Sequence, residues 1–172
     1  MKNQSSLFLK TNAYFSDCRK YRYAFERVWD EKLWNNTNEF AMFIGLNPST
    51  ADEINNDPTI TRCISFAKDW GCGGLCMMNL FAFRATDPKE MRQAKNPIGP
   101  DNDLWIKGYA QRSRIIVAAW GCHGTFMGRD KEVIEMIPDL HYLTLTKDGH
   151  PGHPLYLKKD LKPKRWQDFP GG

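Results

Sequence analysis

The sequence predicts an α/β fold: a three-layer α/β/α sandwich around a short, mainly parallel central sheet, preceded by an N-terminal antiparallel strand extension. Three observations carry this. Four short runs, 40–46, 74–83, 114–121 and 140–146, are apolar throughout rather than alternating, as strands buried on both faces are. The segments 57–70, 101–112 and 127–137 read as helices between them, the rhythm of strand-helix-strand crossovers. At 172 residues the chain suits one domain with a proper core.

The first forty residues carry the antiparallel part. "SLFLKTNAYFS" reads as a hairpin around Lys10-Thr11-Asn12, and "KYRYAFERVWDEKL" sets Tyr21, Tyr23 and Phe25 at period two. "FAMFIGL" follows as the first buried strand, and Asp57-Pro58-Thr59 opens the first long helix, with aspartate as cap and proline in the first turn. "GLCMMNLFAF", "RIIVAAWG" and "LHYLTLT" are the later strands. The organisation is thus one domain over 1–172, with an extension at 1–39, a core at 40–157 and a basic tail at 158–172.

Composition is that of a soluble globular protein, 41% hydrophobic and 26% charged, without the roughly 20-residue apolar run that spans a bilayer. "MKNQSSLFLKTNAYF" is too short in apolar residues for a signal peptide, so a cytoplasmic location is expected. The five cysteines, 18, 63, 72, 76 and 122, form no CxxC pair; neither a metal nor another cofactor is expected. The net charge is +4, and "KKDLKPKRW" holds five of the basic residues. That excess suits a polyanion such as DNA or RNA, and equally a solvated tail.

In parallel sheets ligands sit beyond the C-terminal ends of the strands. Those ends are polar here. The first runs into Asn47-Pro48-Ser49-Thr50, the second holds Asn79 and leads to Arg84-Ala85-Thr86-Asp87-Pro88, and the third ends in Trp120-Gly121-Cys122-His123-Gly124. The fourth leads into the stretch from Thr146 to Leu155.

This ordered set resembles the uracil-DNA glycosylase superfamily over about residues 40–157. Gly45-Leu46-Asn47-Pro48 matches its first motif, Asn79 its buried asparagine, Ala119-Trp120-Gly121 its third strand end, and "HPGHPLYL" its last loop. From about Tyr14 onward the chain is more specifically similar to the bacterial and phage domain-of-unknown-function family 1643. Tyr21-Arg22-Tyr23, the run from Leu46 to Ala51, Asp57-Pro58-Thr59, Asn79-Leu80-Phe81-Ala82 and His153-Pro154-Leu155-Tyr156-Leu157 carry that likeness.

The resemblance implies a uracil-DNA glycosylase-like fold and a hydrolase that cleaves the N-glycosidic bond of a specific base, modified or unmodified, with DNA or a nucleotide-like small molecule as partner. Asn47 takes the place where fast members carry aspartate and slower mismatch-type members asparagine, and would orient water beneath the sugar. The other reading of Asn47 is a turn residue before Pro48, with Ser49 and Thr50 starting a helix. Asn79 would read the base edge, since an amide both donates and accepts; Ser49, Thr50 and Phe81 are further candidates for the base pocket. His153 would hydrogen-bond the leaving base. Because "HPGHPLYL" is one residue longer than the superfamily pattern, His150 is the alternative. Asp57 is either a helix cap or a displaced catalytic acid. Leu155 or Tyr156 would wedge into the gap left by a flipped base, and Arg84 and Lys147 would meet phosphates or nucleic acid. Other readings of the pocket are a base- or nucleotide-binding site without catalysis, and an enzyme of free nucleosides or nucleotides.

Overall fold

The computed structural model describes residues 10–35, 39–50 and 57–168. It is a mixed α/β structure built on one seven-stranded sheet. The strands are β1 (Lys10–Phe15), β2 (Arg22–Val28), β3 (Phe40–Gly45), β4 (Gly74–Asn79), β5 (Ile115–Ala118), β6 (Leu140–Tyr142) and β7 (Lys164–Arg165). Their order across the sheet is β1-β2-β4-β3-β5-β6-β7. The middle four, β4-β3-β5-β6, are parallel; β1 and β2 on one side and β7 on the other join antiparallel.

The helices are α1 (Glu31–Asn35), α2 (Pro58–Asp69), α3 (Pro88–Gln93), α4 (Asn102–Ala110) and α5 (Arg129–Met136). Asp57 caps α2 by accepting from the Ile60 amide at 2.8 Å, and Asp87 caps α3 in the same way through the Lys89 amide at 2.9 Å. In each case a proline fills the first turn, where its missing N–H leaves no bond unmade. Because side chains alternate along a strand, β3 feeds two cores. Phe40, Met42 and Ile44 pack with Met78, Ile106, Ile116 and Val133, so α4 and α5 cover one face. Ala41 and Phe43 pack with Met77, Val117, Ile60, Ile64 and Phe66, so α2 covers the other.

Several expectations shift. Lys10-Thr11-Asn12 lies inside β1 and makes no turn. The reversal comes at Ser16–Tyr21, closed by Ser16 N–H to the Tyr21 carbonyl at 3.0 Å and helped by Arg19 at φ 59°. β2 does not alternate between core and solvent, for all seven of its residues are buried. Tyr14 pairs with Ala24 and Phe15 with Arg22, which leaves Tyr23 as the extra residue of a bulge. β4 stops at Asn79 rather than running to 83, and Leu155 and Tyr156 lie in a 3₁₀ turn, Pro154–Tyr156. Within the basic C-terminal segment Lys164–Arg165 becomes an edge strand, anchored by Trp166 against Trp120 and Tyr142. Among the described residues no helix is long and apolar enough to cross a membrane.

Candidate functional site

The C-terminal ends of the parallel strands open into a cleft of about 670 Å³, within the range of small-molecule sites. Its floor is Gly45, Leu46 and Asn47 after β3, Met77 and Asn79 in β4, and Ala119 and Trp120 after β5. Asp57, Thr59 and Ile60 at the start of α2 form one wall, and Thr146, His153 and Tyr156 form another.

Asn47 leaves β3 half-buried and is fixed by its own amide. Nδ2 donates to the Ala85 carbonyl at 2.9 Å and, more weakly, to Pro48 at 3.3 Å. The Ala85 amide returns a bond to the Pro48 carbonyl at 3.0 Å, and the Thr50 and Thr86 hydroxyls meet beside it. The loops after β3 and β4 are therefore stitched together. With both amide hydrogens so used, the atom of Asn47 that can meet water or a ligand is the acceptor Oδ1.

Asn79 ends β4 and is 6% exposed. Among the described residues nothing hydrogen-bonds its carboxamide. Its backbone, by contrast, is strapped down. Asn102 Nδ2 donates to the carbonyls of Asn79 at 2.9 Å and Leu80 at 3.1 Å, and Arg129 Nε donates to Leu80 at 2.9 Å. Arg129 is fully buried and is held by Asp103 and Glu132. The starts of α4 and α5 thus hold the end of β4 in place. Gly45 faces Asn79 so closely that a Cβ there would lie 3.0 Å from Asn79 Oδ1.

His153 caps the 3₁₀ turn by accepting the Leu155 N–H at Nδ1, 3.4 Å away. Its neutral ring consequently carries the proton on Nε2. Burial pushes the imidazole below its ordinary value, and the negative charge of Asp57 pulls weakly the other way. The turn is held over α2 by Arg62, which donates to the Leu157 carbonyl. His150 does not line the cleft; it sits in the tight turn closed by Thr146 N–H to its carbonyl at 2.7 Å.

Of the residues singled out from sequence, Asn47, Ser49, Asp57, Asn79, His153 and Tyr156 share the cleft. The others lie elsewhere. Phe81 is fully buried against Phe126, with ring centroids 5.5 Å apart, because the chain turns inward after Asn79. Thr50 is exposed and spent on Thr86. Arg84 stacks on Phe15 and donates to the Arg19 carbonyl at 3.0 Å, so it serves the β1–β2 turn. Lys147 is exposed outside the cleft, and Leu155 projects from the 3₁₀ turn without lining it.

Sequence reasoning missed Arg22, Thr59, Cys122, His123 and Thr146 as cleft residues. Cys122 and His123 carried a signal in the polar end of the third apolar run; Arg22 carried none beyond its place in the Tyr-Arg-Tyr motif. Among the described residues no group of three or more His, Cys, Asp or Glu is placed to hold a metal ion.

No curated protein and no solved structure matches the chain. One family model does, described as "Protein of unknown function (DUF1643)", over residues 22–155. That span opens at the first cleft residue and closes one short of the last, Tyr156, and it covers well over half of the sequence: the chain belongs to the DUF1643 family.

Proposed function

We propose that this cleft binds a nucleobase and that the protein is a base N-glycosylase-like hydrolase, acting in the cytoplasm on a specific base of DNA or of a nucleotide-like small molecule. The observation that carries the reading is the meeting of Asn47, Asn79 and His153 in one cleft at the ends of parallel strands. We read the sheet, with α2 on one face and α4 and α5 on the other, as the sandwich of uracil-DNA glycosylase-like folds.

On this reading each side chain has a task. The Asn79 carboxamide offers a donor and an acceptor to the base edge. Asn47 Oδ1 accepts from a water and aims its lone pair at the sugar carbon that holds the base. As the N-glycosidic bond breaks, its electron pair leaves with the base, and the Nε2–H of His153 donates to the oxygen where that charge gathers. The water oxygen bonds to the sugar carbon and its proton ends on the departing base. An amide stabilises the cationic sugar less than a carboxylate would, so turnover is slow.

A second reading, binding without cleavage, is favoured by one observation. Among the described residues the carboxylate that lines the cleft is Asp57, and it is already spent on the Ile60 amide as a helix cap.

The test is mass spectrometry of bases released from single- and double-stranded DNA and from free nucleosides, with Asn47→Ala as control. Release by wild type alone supports the hydrolase. A nucleoside retained without release, and lost in Asn79→Ala, selects the binding reading; neither release nor retention removes both.

A further inference from the structure

A base offers two flat faces and an edge, and a site that reads one covers the faces with aromatic or apolar side chains while hydrogen bonds meet the edge. The cleft supplies part of this. Asn79, 6% exposed, presents a carboxamide that no described residue bonds. It lies two residues after Met77 and so on the same face of β4. Met77, Ala119 and Ile60 pack in one core and reach the cleft together, an apolar surface for one face of a base. The second face needs a ring that is free to meet it.

Among the described residues of the cleft, two carry large aromatic side chains, Trp120 and Tyr156. Trp120 cannot serve, because its indole is 3% exposed and packs in the core on the other face of the sheet, against Trp166. Tyr156 is 83% exposed. A lone exposed aromatic is ordinary on a protein surface, and this one gains meaning from where the backbone puts it. His153 accepts the Leu155 N–H and Pro154 takes the first position, which winds 154–156 into the 3₁₀ turn. With three residues per turn, consecutive side chains point about 120° apart. Leu155 is thereby sent away from the cleft and Tyr156 toward it. Arg62 holds the end of the turn over α2 through the Leu157 carbonyl. Among the described residues the Tyr156 ring meets one other ring, that of His153, with centroids 5.9 Å and planes 47° apart. It therefore leans on the residue that is to hydrogen-bond the base, and the rest of it is open.

We propose that Tyr156 is the stacking residue of the cleft: its ring covers the outer face of a base whose edge is bonded by Asn79. This rests on the base-binding reading above, and it gives Tyr156 a different task from that of a wedge. A wedge fills the gap that a flipped base leaves in a duplex, so it acts on polynucleotide alone. A stacking ring acts on the base itself, and a free nucleoside feels it as fully as DNA does. Tyrosine suits the task, being large and rigid with two side-chain torsions to immobilise. Every base has a π face, so the contact adds affinity without choosing among bases. Selection is left to Asn79.

The experiment is calorimetric titration of the full chain with adenosine, guanosine, cytidine, uridine and thymidine, repeated with Tyr156→Leu, Tyr156→Phe and Asn79→Ala. Tyr156→Leu keeps an apolar side chain fit for a wedge but removes the π face. It is expected to weaken whichever nucleosides bind by roughly 5- to 150-fold, the worth of one stacked base, with their order unchanged. Tyr156→Phe should bind as wild type does. A ring this exposed has little packing to lose, so melting temperatures should match; a large drop in Tyr156→Leu would show that the ring is packed, and would overturn the proposal. If Tyr156→Leu binds as tightly as wild type while Asn79→Ala does not, or if Tyr156→Phe is as weak as Tyr156→Leu, the stacking role falls and the base cleft stands. If no nucleoside binds wild type, both fall.

Discussion

Gly45→Ala separates the stability of the cleft from its use. A Cβ at this position would meet Asn79 Oδ1 at 3.0 Å, a few tenths of an ångström inside ordinary contact, and the next atom only at 3.9 Å. The group that must yield is a side chain lining an open cleft, with no hydrogen bond to lose among the described residues. Turning it off its rotamer costs about 0.5–1.5 kcal/mol. Gly45 lies in β3 without a positive φ, so alanine recovers about 0.5–1 kcal/mol of backbone entropy. The two nearly cancel, and a net change within about 1 kcal/mol moves the melting temperature of a chain this size by no more than about 4 °C. Ligand binding should respond far more. Two misaligned bonds from the carboxamide, at about 0.5–1.5 kcal/mol each, weaken nucleoside binding roughly 5- to 150-fold. Thermal melting and calorimetric titration of the same preparation read both effects. A melting drop above about 10 °C would show that Asn79 is packed and cannot turn; unchanged melting with unchanged binding would show that its carboxamide does not read the ligand.

Two further outcomes concern a wall and the floor of the cleft. The imidazole of His153 is depressed by burial, so between its folded value and the unfolded value of about 6.5 the unfolded chain holds the proton and the folded chain does not. Stability should therefore be indifferent to this group above about pH 6.5, fall as pH drops through that value, and level off below the folded value. Melting curves from pH 7.5 to 5 should show a shallower decline in His153→Gln, and identical slopes would refute the assignment. Gly124→Ala would drive a Cβ to 2.3 Å from Trp120 Cδ1, and this indole is 3% exposed and packed against Trp166. Overpacking of that kind costs about 1–3 kcal/mol; chemical denaturation should show the loss, with altered tryptophan fluorescence, whereas a wild-type midpoint would mean that the ring moves freely.

The parts of this structure legible in the sequence are those governed by local chemistry. The unbroken apolar run before Gly45 became β3, and Asp57-Pro58 starts α2 by the cap and first-turn proline that it advertises. Asp87-Pro88 spells the same signal for α3 and went unread, because the segment looked like loop polarity alone. Arg22 was hidden for a different reason. Period-two reasoning sends an arginine beside a buried tyrosine to solvent, and only the pairing of β2 with β1 reveals the bulge that reverses it. Phe81 lies away from the cleft for another reason. Regular pairing has ended at Asn79, and tertiary packing on Phe126 decides its side. His153 and His150 could not be told apart by spacing; the bridge between Leu145 and Pro151, which closes the turn between them, distinguishes them.

The way Asn47 is held bears on how this loop could change by descent. Both hydrogens of its amide point at carbonyl oxygens, those of Ala85 and Pro48. An aspartate has no such hydrogens when ionised, so Asn47→Asp would set an anion against two acceptors and tear the stitch between the loops, or else be forced to keep its proton. The exchange of one residue is therefore closed off unless the loop at Ala85 is rebuilt with it. The amide and the loop it ties are thus a single unit: residue 47 cannot become acidic alone, and a carboxylate there needs donors in place of the carbonyls of Ala85 and Pro48.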